Sequence, residues 1–210
     1  MIRILIADDH MIIREGMRQI VSDTSDIVIA DEAGTGHEVL NKALTNDYDV
    51  VVLDITMPGV SGLDVMKQIK RQKPKLPILV LSVHPEEQYA LRVLKAGASG
   101  YLTKESASDE LIAAIRKVSS GKKYITFSLA EKLAVGLETD TEKPLHGYLS
   151  DREYQVLCMI ASGKKIAEIA EKLFLSKNTI RTYRSRILEK MNMKSNNEMT
   201  AYAIRHKLID

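Results

Sequence analysis

Val50-Val51-Val52-Leu53-Asp54 is a short apolar run that stops at a carboxylate. An unbroken apolar run reads as a strand buried on both faces, so this one belongs in the middle of a parallel sheet. Toward the N-terminus, Ile2-Arg3-Ile4-Leu5-Ile6-Ala7 ends in the same way, at Asp8-Asp9. Two buried strands that both end in acids bring like charges into one crevice. Such a cluster repels itself unless a cation sits in it, so the pattern predicts a bound metal. Toward the C-terminus, Ile78-Leu79-Val80-Leu81 ends at Ser82, and Ser99-Gly100-Tyr101-Leu102-Thr103 ends at Lys104. Three acids, a lysine and a hydroxyl at strand ends look like a site that accepts a phosphoryl group.

Strand-like runs near residues 2–7, 27–33, 50–53, 77–82 and 99–102 alternate with helix-length segments at 11–23, 36–46, 62–72, 86–97 and 107–119. Five such repeats predict a doubly wound, five-stranded parallel α/β domain over residues 2–120. In that architecture ligands bind outside the carboxyl ends of the strands, where the strand order reverses. Asp8, Asp9, Asp54, Ser82 and Lys104 all fall at or just past such ends. Each has a plainer reading alone: a helix cap for Asp8 and Asp9, turn chemistry for Asp54, a solvated lysine for Lys104. Their joint placement is what favours a site.

Of the 210 residues, 45% are hydrophobic and 28% charged, as in a globular protein rather than a disordered one. No apolar stretch approaches the roughly 20 residues that span a bilayer, and Met1-Ile2-Arg3-Ile4 runs straight into a strand. A cytoplasmic protein without membrane partners is expected. The single cysteine, Cys158, excludes an intramolecular disulfide and reads as a buried apolar filler among Val156, Leu157 and Ile160. The five histidines lack zinc-ligand spacing. Charge is uneven: residues 145–210 carry 12 Lys and Arg against 7 Asp and Glu, whereas residues 1–144 carry 18 against 21. An acidic front and a basic back predict two domains with different partners, nucleic acid being the candidate for the second.

Residues 121–147 read as a linker with a short helix over 128–137, ending in the polar, proline- and glycine-containing stretch 138–147. Ser150-Asp151-Arg152-Glu153 is a capping box that opens a helix. Apolar residues then recur at helical spacing: Tyr154, Leu157, Ile160 and Ala161; Ile166, Ile169, Ala170 and Leu173; Ile180, Tyr183, Ile187, Leu188 and Met191. With a fourth helix from Asn197 to about His206, residues 148–210 form a small all-α, four-helix domain with a helix–turn–helix at its centre.

Phosphoryl transfer to a carboxylate needs a nucleophile, neutralisation of the phosphoryl oxygens and in-line access. Asp54 is the nucleophile candidate, Asp8 and Asp9 would hold a hard divalent cation such as Mg²⁺, Lys104 would pair with Asp54, and Ser82 would donate to a phosphoryl oxygen. Asp8-Asp9, Asp54-Ile55-Thr56-Met57-Pro58-Gly59, Ser82 and Gly100-Tyr101-Leu102-Thr103-Lys104 together resemble the motif set of bacterial response-regulator receiver domains. The resemblance implies that a sensor histidine kinase phosphorylates Asp54. It implies that Asp9, Asp54 and the Thr56 carbonyl ligate Mg²⁺, with Asp8 in support. It also implies that Ser82 and Tyr101 are a switch pair, the aromatic ring turning inward on phosphorylation. His84 and Thr56 flank the phosphoryl position. Glu105 stands where many receivers carry proline.

In the third helix of the basic domain, Lys177, Arg181, Arg184, Arg186 and Lys190 face Glu189 alone. With Ile180, Tyr183, Ile187 and Met191 turned to the core, Lys177, Asn178, Arg181, Thr182 and Ser185 point outward. Leu149-Ser150-Asp151-Arg152-Glu153, Ile166-Ala167-Glu168-Ile169-Ala170 and Leu175-Ser176-Lys177-Asn178-Thr179-Ile180-Arg181 resemble the LuxR-type helix–turn–helix. The whole chain thus resembles the NarL/FixJ class of response regulators, and Thr182-Tyr183-Arg184-Ser185-Arg186 resembles its GacA/UvrY branch. The resemblance implies that Arg181, Thr182 and Ser185 face bases of double-stranded DNA, with Lys177, Thr179 and Arg184 near phosphates. It implies a homodimer on a two-fold DNA site, joined through Met199, Tyr202 and Ala203 of the fourth helix, with RNA polymerase as a further candidate partner. A phosphorylation-controlled transcription regulator is expected, not an enzyme. The alternatives are a phosphatase-like enzyme using Asp54 covalently and an adaptor whose helical domain binds protein.

Overall fold

The computed structural model describes residues 1–57, 60–83, 86–126, 129–131, 144–206 and 208–209, and the chain divides into two compact units, Met1–Ala134 and Val135–Asp210. The first alternates β1 (Ile2–Ala7), α1 (Met11–Ser22), β2 (Ile27–Ala33), α2 (Gly36–Thr45), β3 (Val50–Asp54), α3 (Gly62–Gln72), β4 (Ile78–Ser82), α4 (Glu86–Lys95), β5 (Gly100–Thr103) and α5 (Ala107–Ser119). All five strands are parallel, in the order β2-β1-β3-β4-β5. The apolar runs explain the order. β3 and β4 are buried at every residue and lie inside, whereas β2, more polar and half-exposed, takes an edge.

Alternation along the strands divides the core between two faces. Ile4, Ile6, Val50, Val52, Leu79, Leu81 and Leu102 point to one face, where Met17 and Val21 of α1 and Leu111, Ile115 and Val118 of α5 pack on them. Leu5, Val51, Leu53, Val80 and Tyr101 point the other way and are equally buried, under the buried sides of α2, α3 and α4. Removing each such aliphatic side chain from water contributes about 1.5–3 kcal/mol. Thr35 and Ser61 start α2 and α3 by accepting the N–H groups of Glu38 and Asp64.

Residues 121–126, expected to begin the linker, are part of the first unit. Tyr124 donates its N–H to the Ser99 carbonyl (2.8 Å) and forms a parallel bridge with Gly100, closing the open edge of β5. A Cβ on Gly100 would meet Tyr124 Cβ at 2.8 Å, so glycine is what admits this strap. Tyr124 Oη donates to Glu110 Oε2 (2.6 Å), and Thr126 Oγ1 donates to Glu86 Oε1 (2.6 Å). Of the helix expected over 128–137, residues 129–131 are helical and the remainder lies outside the described residues.

The second unit opens with a 3-10 turn, Leu145–Tyr148, where open linker was expected. Four helices follow: α6 (Asp151–Ala161), α7 (Ile166–Lys172), α8 (Lys177–Lys190) and α9 (Asn196–Arg205). The capping box is formed, with Ser150 Oγ accepting from Glu153 N–H and the Glu153 carboxylate accepting from Ser150 N–H. Gly163, at φ +80°, ends α6, and Phe174, at φ 54°, makes the turn between α7 and α8. Tyr154, Leu157, Ile169, Leu173, Ile180, Ile187, Met191, Met199 and Ala203 are buried, and Cys158 is buried as expected. No helix among the described residues is long and apolar enough to cross a membrane.

Candidate functional site

Because β1 lies between β2 and β3, the connections leave the sheet in opposite directions on either side of the β1–β3 boundary. That boundary opens a crevice at the carboxyl ends of the strands. Asp8 and Asp9 follow β1, Asp54 ends β3, and Lys104 follows β5. The Lys104 N–H donates to the Ser82 carbonyl (2.7 Å), so β4 carries the lysine inward beside Ser82. Lys104 Nζ then lies 2.8 Å from Asp54 Oδ2 and 2.5 Å from Asp8 Oδ2. Glu105 in place of proline does not prevent this reach.

Asp8, Asp54 and Ser82 are fully buried, and Tyr101 on β5 is buried with them. Thr56 donates its N–H to Asp54 Oδ1 (2.9 Å), while its own Oγ1 is buried without a hydrogen-bond partner among the described residues. Burial pushes the Asp54 carboxyl up to about 6, with the negative charge of Asp8 adding to the rise and Lys104 opposing it. Burial also disfavours the Lys104 ammonium, but Asp54 and Asp8 outweigh it and raise its pKa above the ordinary lysine value. The lysine therefore stays charged between two acids.

The cluster has a member that sequence reasoning missed. His10 Nδ1 lies 2.9 Å from Asp9 Oδ1 and 3.2 Å from Asp8 Oδ1, and the His10 N–H donates to Asp8 Oδ1 (2.9 Å). The signal lies in the tripeptide Asp8-Asp9-His10, where an imidazole directly follows the two acids. One ligand atom from each of Asp8, Asp9, His10 and Asp54 falls within 4.8 Å of all the others. Ligands around a six-coordinate ion at 2.0–2.1 Å stand about 3–4 Å apart, so the three carboxylates fit a hard divalent cation, with an imidazole beside them. Arg14 braces the crevice from α1, its Nη1 donating to the Asp8 carbonyl (2.7 Å) and its Nε to Glu32 Oε2 (3.0 Å). Pro58, Gly59 and His84 lie outside the described residues.

In the second unit, Lys177, Arg181, Thr182 and Ser185 are exposed along one side of α8, while Ile180 and Ile187 are fully buried on the other. Ser176 caps this helix by accepting the Thr179 N–H (3.0 Å), and Thr179 Oγ1 lies 2.8 Å from Ser176 Oγ. Arg181 Nη1 donates to Asn178 Oδ1 (3.0 Å). Arg184 is half-buried, its Nε donating to Asn196 Oδ1 (2.7 Å) in the first turn of α9. Tyr183, expected in the core, is also half-buried.

The expected dimer contact needs correction. Met199 and Ala203 are fully buried on the inner side of α9, which packs against α6, so neither is open to a partner chain. Of the three residues named, Tyr202 alone is partly exposed, and its ring accepts the His146 N–H at Oη (3.3 Å) and stacks on His206 at 4.1 Å. The exposed side of α9 carries Ala201 and Ile204, the latter 57% exposed.

Residues 4–116 match the response regulator receiver domain family, and residues 148–203 match the bacterial regulatory proteins of the luxR family. The chain is 39% identical over 209 residues to the response regulator UvrY of Escherichia coli (strain K12), covering 99% of this chain and 96% of that one. It is 35% identical over 211 residues to the response regulator GacA of Pseudomonas aeruginosa, covering 100% and 99%. Among solved structures, an RcsB–DNA complex is 27% identical with a TM-score of 0.60, covering 100% of this chain and 99% of that one. RcsB of Salmonella typhimurium is 25% identical with a TM-score of 0.69 over 98% of each chain. With an acid–lysine crevice in one unit and an exposed basic helix in the other, the chain belongs to the two-component response regulators that join a receiver domain to a LuxR-type DNA-binding domain.

Proposed function

We propose that Asp54 accepts a phosphoryl group from a sensor histidine kinase, and that this controls binding of α8 to a two-fold DNA site. The observation that carries the reading is Lys104 Nζ held between Asp54 and Asp8 in a buried carboxylate cluster. The Asp54 carboxylate attacks phosphorus as the bond to the kinase histidine nitrogen breaks, leaving an acyl phosphate on Asp54. Asp9, Asp54 and the Thr56 carbonyl would hold Mg²⁺, with Asp8 in support, and an ion there would supply positive charge against the phosphoryl oxygens. Lys104 pairs with Asp54 before transfer and with the phosphoryl group after it. Ser82 then donates to a phosphoryl oxygen, and Tyr101 occupies its inward position in the signalling state, so a local charge change biases a two-state receiver.

In the second domain, Arg181, Thr182 and Ser185 read base edges, and Lys177, Thr179 and Arg184 contact phosphates. The DNA-bound pair forms through the exposed side of α9, at Ala201 and Ile204 with Tyr202 on its margin, and RNA polymerase is a candidate partner at the promoter. We draw the acceptor domain as residues 2–126 and the DNA-binding domain as 148–210, and assign the protein to the cytoplasm.

The test is to incubate the full chain with Mg²⁺ and acetyl phosphate, follow intact mass, and footprint DNA binding genome-wide. One phosphoryl group should add to wild type and none to Asp54→Ala, and the footprint should shrink in the variant. A wild-type chain that stays unmodified would overturn the reading.

A further inference from the structure

The acid crevice differs from an all-oxygen site in one respect, the imidazole of His10. We propose that His10 supplies a nitrogen donor to the divalent ion and biases the site toward borderline transition ions such as Ni²⁺ and Co²⁺, relative to Mg²⁺. The inference rests on the reading that Asp8, Asp9 and Asp54 surround a cation.

The geometry points this way from three sides. Adjacent ligands of an octahedral ion at 2.0–2.1 Å lie about 3 Å apart. His10 Nδ1 stands 2.9 Å from Asp9 Oδ1, the edge length such an ion requires, and 3.2 Å from Oδ1 of the supporting Asp8. Nδ1 also belongs to the group of donor atoms that lie within 4.8 Å of one another. The backbone fixes this placement. His10 is the N-cap residue of α1 in an extended conformation, φ −89° and ψ 110°, and its N–H is committed to Asp8 Oδ1 at 2.9 Å. Exposure completes the argument. Asp8 is fully buried at the floor, whereas the His10 side chain is 60% exposed at the mouth, where an arriving ion is met first.

Ligand chemistry gives the direction of the bias. Mg²⁺ is hard, prefers oxygen and keeps several waters, so it gains little from an imidazole. Ni²⁺ and Co²⁺ bind imidazole strongly, and an added nitrogen raises their affinity more than that of Mg²⁺. A histidine that only donated Nδ1–H to the two carboxylates would orient them alike for every ion and would leave the relative affinities where they were.

The experiment is isothermal titration of the untagged full chain with MgCl₂ and, separately, NiCl₂, for wild type, His10→Ala and His10→Asn. Because the side chain is 60% exposed, both variants are expected to fold, which a thermal melt of each checks. The ratio of Ni²⁺ to Mg²⁺ affinity should fall about tenfold or more in each. An unchanged ratio in His10→Ala overturns the proposal, and so does a wild-type ratio in His10→Asn, whose amide keeps a hydrogen-bond donor but no imidazole. Modification of wild type by acetyl phosphate with Mg²⁺, run in parallel, separates the two readings. Modification with an unchanged ratio removes only the role of His10. A wild-type chain that binds neither ion and stays unmodified removes the acceptor site itself.

Discussion

Gly62 presses directly on the backbone of Asp54: a Cβ there would run into the Asp54 carbonyl oxygen and come within 2.7 Å of Ile55 Cα. The contact is reinforced by the Gly62 N–H, which donates to the Ile55 carbonyl (3.0 Å). The first turn of α3 is thereby fastened to the strand end that carries Asp54, the proposed phosphoacceptor. Overpacking at such a contact costs about 1–3 kcal/mol. Gly62→Ala should lower stability by that amount in a denaturant melt and slow Asp54 modification by acetyl phosphate. A variant with wild-type rate and midpoint would show that the close approach relaxes without consequence.

The elevated pKa of Asp54 makes it a liability to the metal-free fold. A carboxyl raised to about 6 from 3.8 is easier to fold protonated than ionised. Its contribution to stability is complete below the ordinary aspartate value and is lost as pH rises from there through about 6. At 1.36 kcal/mol per pKa unit, the loss above that window is up to about 3 kcal/mol. In metal-free buffer at neutral pH, Asp54→Asn should therefore melt above wild type, and Mg²⁺ should raise the melting point of wild type more than that of the variant. Thermal melts between pH 4 and 8, with and without the ion, measure both effects.

The opposite sign holds at Glu153. Burial alone would push its carboxyl up, but the Lys190 ammonium at 2.6 Å and the Ser150 N–H at 2.7 Å outweigh burial and hold it below the usual glutamate value. Its contribution is present above the unfolded-state pKa and is lost as pH falls through the lower folded value. Breaking a buried pair by removing one partner costs about 3–5 kcal/mol. Lys190 is 42% exposed, so about 2 kcal/mol is the expected loss in Glu153→Ala at pH 7. The gap to wild type should narrow on acidification below pH 4; a gap independent of pH would locate the loss in packing.

On DNA, Lys177→Ala should weaken binding evenly across sequences and reduce the slope of log affinity against log salt by about 1. Arg181→Ala should cost about 1–3 kcal/mol on the preferred site and relax its sequence preference. Binding assays at several salt concentrations on specific and scrambled duplexes separate the two effects. Equal behaviour of both variants would leave α8 without a base-reading face.

For α9, the buried Met199 and the exposed Ile204 make contrasting predictions. Met199→Ala should lose about 2–5 kcal/mol of stability, as large-to-small changes in a core do. Ile204→Glu should leave the melt within about 0.5 kcal/mol of wild type while weakening occupancy of paired half-sites more than of a single half-site. Strong destabilisation by Ile204→Glu would place that side chain inside the domain.

Much of this was legible in order along the chain. Runs such as Val50–Leu53 and Ile78–Leu81 carry their burial in their composition, and the Ser150 capping box and the helical stripes are local, so strand and helix assignments needed no tertiary information. Tyr124 was different. Its bridge to Gly100 joins residues far apart in sequence, and nothing in the local pattern distinguishes a strap on a sheet edge from the start of a linker.

Met199 and Ala203 show a second limit. Their i, i+4 spacing marks one face of a helix, but a stripe alone does not tell whether its partner is the same chain or another copy; packing of α9 on α6 decided for the same chain. His10 shows a third, because a donor is recognised by what surrounds it in space. By itself the sequence determined the five parallel strands, the helical domain and the residue types that end each strand, since those follow from short-range hydrophobic periodicity. Only the tertiary structure decided that Lys104 lies between Asp8 and Asp54, that His10 joins them, and which sides of α8 and α9 meet solvent. Distances between side chains on different strands depend on the register and strand order of the folded sheet, which local periodicity does not encode.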